Sequence, residues 1–154
     1  MSTVWAKYPH KVIERLRNAL EQRAPATALA KLLGLSLVYA EGGKAIIDMQ
    51  TGPQHFNLFE TLHGGALCTL VDSAMGLAHA STLEEGESFT TLDLQISFLR
   101  SVKIAKIRAE GRVVKRGRNV SFAESEVFDD AGRLIAKATC TCLTIHHHHA
   151  KPPQ

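Results

Sequence analysis

Between Pro53 and Pro152 the chain contains no proline. Long, uninterrupted strands require such a stretch, because proline cannot donate to a β-ladder. Cysteine is scarce: Cys68, Cys140 and Cys142 form an odd count at a spacing that supplies no second ligand pair for zinc. No metal site is expected, and reduced thiols in a cytoplasmic protein are the default. No dense Lys/Arg run with interleaved aromatics occurs, and the net charge is only +3. That excludes nucleic acid as an expected partner and suits an acidic small molecule better. Residues 1–24 carry scattered charges where a secretory leader would be apolar. The one long apolar run contains Asp72 and His79, so no membrane partner is expected.

What the chain does have is a composition of 45% hydrophobic and 21% charged residues over 154 positions. That is enough for one domain with its own core. Its centre is the run His63-Gly64-Gly65-Ala-Leu-Cys-Thr-Leu-Val71-Asp72-Ser-Ala-Met-Gly-Leu-Ala-His79-Ala. At 100° per residue, Ala66, Leu67, Leu70, Val71, Ala74, Leu77 and Ala78 fall on one side of a helix and form a core face. Gly65, Cys68, Thr69, Asp72, Gly76 and His79 fall on the other. That face is small and sparsely polar, open to the close approach of a ligand or another backbone.

Asp72 is the only formal charge from His63 to Thr82. An acid in apolar surroundings must find partners or raise its pKa, so Asp72 either bonds a neighbouring hydroxyl or amide or does chemistry. The helix start favours chemistry. Gly64 and Gly65 leave free N–H groups at the positive end of the helix, where a developing oxyanion is stabilised. Gly64 and Asp72 are eight residues apart, about 12 Å along one helix axis. One copy cannot easily bring both groups to one carbonyl, whereas two antiparallel copies in a symmetric dimer can. A composite site at a homodimer interface is therefore expected.

The rest of the chain supplies a shell. Residues 9–23 read as an amphipathic helix with Val12, Ile13, Leu16 and Leu20 as its stripe. Residues 26–33 add two helical turns. Leu35–Glu41 and residues 44–51 form a hairpin about Gly42-Gly43. Residues 90–100 alternate, with Leu92, Leu94, Ile96 and Phe98 on one face and Thr91, Asp93, Gln95 and Ser97 on the other. Strands at 103–115, 120–128 and 133–145 follow, linked by turns. A long antiparallel sheet must wrap its single apolar helix to bury it, which makes the fold class α+β. The His146–His149 run and the residues after it are set apart as a disordered tail, outside the fold and outside any metal site.

Together these residues resemble the hotdog-fold acyl-CoA thioesterases of the phenylacetate-degradation (PaaI-like) group. The resemblance rests on Asn57-x5-His63-Gly64-Gly65, the acid eight residues past the first glycine and Thr90-Thr91-Leu92-Asp93. Phe98-Leu-Arg-Ser-Val102 and Asp130-Ala-Gly132-Arg-Leu-Ile-Ala136 extend it. It implies an N-terminal helical segment over 1–33, a hotdog domain over 34–145 and thioester hydrolysis with no cofactor. In that chemistry the Gly64 amide polarises the thioester carbonyl, with Gly65 beside it, and Asn57 positions carbonyl or water. Asp72 of the other subunit acts as general base or nucleophile. A strand hydroxyl, Thr91 or by a one-residue slip Thr90, holds the water. His63 either fixes the loop or joins the chemistry.

The substrate implied is an acyl-CoA or aryl-CoA, and the assembly a homodimer that pairs further into a dimer of dimers. Arg116 and Arg118 are candidates for the CoA phosphates, as are Arg100, Lys103 and Lys106 at the rim; otherwise they are ordinary solvated cations. Two rival readings stand beside this one. A hotdog hydratase or dehydratase needs a His–acid pair, which is not found at helical hydrogen-bonding spacing. A non-catalytic acyl-CoA-binding module has no need of Asp72 and Asn57.

Overall fold

A computed structural model describes Leu16, residues 18–22 and residues 25–147. Leu16 and residues 18–22 are helical, as the amphipathic pattern predicts. Val12 and Ile13 of the same stripe, and the end of the tail from residue 148, lie outside the described residues.

A five-residue helix, α1 (Ala28–Leu32), is capped by Thr27, whose hydroxyl oxygen accepts from the Ala30 N–H at 3.1 Å. The hairpin β1 (Leu35–Glu41) and β2 (Lys44–Gln50) turns at Gly42 and Gly43. Both glycines have φ near +60 to +80°, the conformation a two-residue hairpin demands. After a single 3-10 turn at Pro53–His55 comes the central helix α2 (Gly64–Ala80). Four long strands complete the chain: β3 (Glu87–Phe98), β4 (Lys106–Lys115), β5 (Val120–Asp129) and β6 (Leu134–His146). All neighbours pair antiparallel in the order β1-β2-β4-β5-β6-β3. The result is a hotdog fold, a six-stranded sheet around one helix.

Burial of α2 is what shapes the sheet. Leu70, Val71, Ala74, Met75 and Ala78 are completely buried, against Met49 of β2, Ile107 and Ala109 of β4, and Val127 of β5. Burying each of the larger aliphatic side chains is worth about 1.5–3 kcal/mol. The helix touches all six strands, which is possible only if the sheet curves around it. Closest approach is at Gly111 in β4, where a Cβ would lie 2.6 Å from the Ala74 carbonyl. Only glycine lets the helix backbone seat there.

Four local expectations need correction. The run set apart as a tail belongs to the fold at its start, since His146 ends β6 opposite Glu87 and the His147 N–H donates to the Gly86 carbonyl at 2.8 Å. The strand expected from residue 103 begins at Lys106, because Thr51 pins the preceding loop: its hydroxyl donates to Lys103 O at 2.6 Å and accepts from Ala105 N at 2.8 Å. Gly76 and His79, placed on the open side of the helix, are buried. Phe89 covers them, its ring edge-on to His79 with centroids 5.2 Å apart. The alternation across residues 90–100 is interrupted as well. Thr91 pairs Cys142 and Asp93 pairs Thr141, so Leu92 is an extra residue in a β-bulge. The helix-facing set is therefore Phe89 and Thr91, then Leu94, Ile96 and Phe98. Asp93 turns to the other face, where its carboxylate accepts from the Thr141 hydroxyl and N–H.

Candidate active site

Asp72 projects from the middle of α2, exposed in the single chain. The Thr91 hydroxyl donates to its Oδ1 at 3.0 Å, and it does so because the bulge keeps Thr91 on the helix side. Thr90 is exposed, pairs Leu143 and points to the opposite face of the strand from Thr91, so Thr91 is the hydroxyl the fold brings to Asp72. Cys142 lies directly across the ladder from Thr91 with no exposed surface. Its neighbour Cys140 has its thiol pushed up by the hydrogen bond to Cys142 and by burial. Next to Asp72 and Thr91 opens a cavity of about 410 Å³, walled by Leu37, Ile47, Gly76, Leu77 and Phe89.

His79, two turns beyond Asp72, stays neutral. Burial pushes its pKa down to about 4, the Arg116 cation adds to that, and Glu87 opposes it in part. Its Nε2 lies 3.4 Å from the Thr144 hydroxyl. It packs rather than reacts.

The start of α2 builds a second, different environment. His63 is the N-cap, its Nδ1 accepting the Gly65 N–H at 2.9 Å. That consumes the Gly65 donor and caps the helix start. Among the described residues nothing accepts the Gly64 N–H. A Cβ at Gly64 would sit 3.1 Å from the Phe98 ring, so the aromatic edge rests on bare backbone. Asn57 is locked into its own loop: Oδ1 accepts from the Phe59 N–H at 2.9 Å and the Thr61 N–H at 3.3 Å, and Nδ2 donates to Thr61 Oγ1 at 3.0 Å. Its side chain shapes the turn that carries the chain into Gly64. Asn57, Gly64, Phe98 and Arg100 border a cavity of about 350 Å³, with Arg100 its one cation among the described residues.

Within one chain the two environments do not meet. Asp72 and Thr91 line the first cavity, Asn57 and Gly64 the second, and no lining residue is common to both. Arg116 and Arg118 border neither. Arg116 is ion-paired to Glu87 at 2.8 Å and also bonds the Gly117 carbonyl, while Arg118 is exposed on the β4–β5 turn. Sequence reasoning missed Phe89 and Phe98, which wall the two cavities. Their signal was an aromatic at each end of the strand that carries the hydroxyl, visible only once the bulge is known. Among the described residues no cluster of three or more His, Cys, Asp or Glu is arranged to hold a metal ion, and no helix is long and apolar enough to cross a membrane.

Residues 59–136 match the family model described as the thioesterase superfamily. The human protein acyl-coenzyme A thioesterase 13 is 31% identical over 131 residues, covering 83% of this chain and 93% of its own. A phenylacetic acid degradation-related protein of Ralstonia eutropha superposes with a TM-score of 0.74 at 32% identity, over 84% of this chain and 98% of that one. A Streptococcus mutans protein solved with acetyl CoA bound gives a TM-score of 0.68 at 28% identity, over 75% and 91% of the two chains. The acid held by a strand hydroxyl and the free amide at a helix start thus sit on a fold whose relatives cleave thioesters, and the chain belongs to the thioesterase superfamily as a PaaI-like, hotdog-fold thioester hydrolase.

Proposed function

We propose that this protein hydrolyses an acyl-CoA or aryl-CoA thioester, in a site that each of two copies half supplies. The observation that carries the proposal is the separation of the halves. The free Gly64 amide does not line the cavity of the Asp72–Thr91 pair, and among the described residues no acid lines the cavity of the Gly64 amide. A two-fold axis that sets the helices antiparallel joins Gly64 of one copy to Asp72 of the other. Among the described residues nothing pairs with the outer edge of β3, which carries exposed Leu92 and Phe98, with Leu99 just beyond. Such an edge supports pairing with a second copy. Pairing of two such dimers follows from the same resemblance.

In this arrangement the thioester carbonyl oxygen accepts the Gly64 N–H at the helix start, where the dipole favours developing negative charge. His63 keeps that amide in place by capping the helix, and Asn57 holds the loop that enters it. As general base, Asp72 takes a proton from a water that Thr91 helps to hold. The water oxygen bonds the carbonyl carbon, the C–S bond breaks, and the proton passes to the departing thiolate, giving free acid and CoA. As nucleophile, Asp72 bonds the carbonyl carbon itself and the C–S bond breaks to release the coenzyme thiolate. Water then cleaves the mixed anhydride, giving the free acid and the Asp72 carboxylate, and a proton from that water goes to the thiolate. Arg100 lies beside the Gly64 cavity and suits the coenzyme's phosphates; Arg116, held by Glu87, suits them less.

Thiol release from a panel of acyl-CoAs, by wild type and Asp72→Asn, tests the proposal. Turnover that falls roughly 10²- to 10⁴-fold in the variant, with the fold and assembly intact, is the expected result. Undiminished turnover removes Asp72 from the chemistry, and no turnover of any ester by folded wild type overturns the assignment.

A further inference from the structure

The cavity beside Asp72 has one polar end. Asp72, Ser73 and Thr91 stand there, and Asp72 and Thr91 are bonded to each other. Beyond them the walls are Leu35, Leu37, Ile47, Leu77, Ala80 and Phe89. The remaining polar lining residue, Thr27, already accepts the Ala30 N–H as the cap of α1. Even the histidine behind Phe89 is buried and packed edge-on to its ring. Among the described residues no Lys or Arg lines the cavity, and this lining does not suit the phosphates of a coenzyme. Its volume of about 410 Å³ is that of a small-molecule pocket.

One wall comes from outside the sheet-and-helix shell. Leu16, Ala26 and Ala30 of the N-terminal helical segment close the side away from β3. Ala30 is small and half-buried, and it lines the cavity from α1 together with the helix cap Thr27. Phe89 stands on the opposite side, resting on Gly76, whose missing Cβ would touch its ring at 3.4 Å.

Resting on the thioesterase reading, we propose that this cavity holds the acyl group, that it selects acyl groups without polar substituents at their far end, and that Ala30 and Phe89 set the size it accepts. The carbonyl then lies at the Asp72 end, and the coenzyme leaves toward the partner copy's Gly64. A hydroxyl at the far end of the acyl group gives up its water and, among the described residues, meets carbon apart from the Thr27 hydroxyl, which already caps α1.

The test compares kcat/KM for acetyl-, octanoyl-, phenylacetyl- and 4-hydroxyphenylacetyl-CoA in wild type, Ala30→Leu and Phe89→Ala. Leucine is a good helix former, so α1 tolerates it. Ala30→Leu lowers octanoyl-CoA turnover about tenfold or more while acetyl-CoA stays within about twofold, and Phe89→Ala shifts preference toward the bulkier esters. The para-hydroxyl lowers kcat/KM on the order of ten- to a hundredfold relative to phenylacetyl-CoA. Equal effects of Ala30→Leu on acetyl and octanoyl esters, or equal or better use of the hydroxylated ester, overturn the assignment of the pocket. Affinities of the non-hydrolysable thioethers S-octyl- and S-ethyl-CoA, measured by calorimetry on the same variants, separate the two failures. An octyl-to-ethyl ratio that falls in Ala30→Leu supports the pocket even where no ester turns over, and an unchanged ratio rejects it even where Asp72 proves catalytic.

Discussion

The two cavities of this chain differ in nearly every chemical respect. The one at Asp72 is mostly apolar and supplied with an acid that a threonine hydroxyl holds. The one at Gly64 offers a bare backbone donor, an aromatic edge and one arginine. The first suits a hydrocarbon and a proton transfer, the second an oxyanion and a polyanionic coenzyme. Each lacks what the other has. A single copy that built both around one point would have to bend a helix of 17 residues; a second copy achieves the same meeting by symmetry alone.

Removing the donor from the Gly64 half is expected to have the largest effect after the loss of Asp72 itself. Gly64→Pro deletes the one N–H in question at the first helical position, where proline is well tolerated once the exposed Phe98 ring gives way by a few tenths of an ångström to the new Cβ. His63 already has φ −67° and ψ 133°, a conformation that a following proline accepts. Steady-state assays should show kcat down roughly 10²- to 10³-fold, with circular dichroism unchanged. Retained kcat would mean that the oxyanion is stabilised elsewhere.

In the Asp72 half, Thr91→Val keeps the shape and removes the hydroxyl. Because Asp72 is exposed in the single chain, the loss should be roughly tenfold in kcat, the low end for a hydrogen bond to a charged group. Thr90→Val, on the other face, should change little. Equal effects of the two would contradict the role of the bulge.

Gly111→Ala touches neither half but supports both through the seat of α2. It should lower stability to denaturant by about 1–3 kcal/mol, while kcat of the folded protein stays near wild type. A selective loss of kcat at full stability would show that the helix seat tunes the site itself.

The parts legible in the sequence are those that neighbours in the chain determine. The Gly42-Gly43 hairpin, the apolar helix from Gly64 and the lone acid on it follow from period and turn chemistry alone. What escaped is set by distant partners. A period-two pattern over Thr90 to Arg100 cannot register one extra residue, so Thr91 and Leu94 were assigned opposite faces although the bulge at Leu92 gives them the same one. Gly76 and His79 look solvent-facing on a helical wheel, and become buried only because Phe89 of β3 folds over them. Arg116 looks free in its turn, yet Glu87, 29 residues earlier, pairs with it. Nothing local to Asp72 announces that Leu16, Ala26 and Ala30 will wall its cavity.

The most direct measurement mixes two inactive proteins. Asp72→Asn and Gly64→Pro chains, co-expressed with different tags and purified as one population, form mixed dimers in about half of the molecules, and each mixed dimer regains one intact site of two. If the halves meet across the interface, thiol release returns to about a quarter of the wild-type rate. Activity no higher than that of the two parent variants would place Gly64 and Asp72 in the same copy's site and contradict the account.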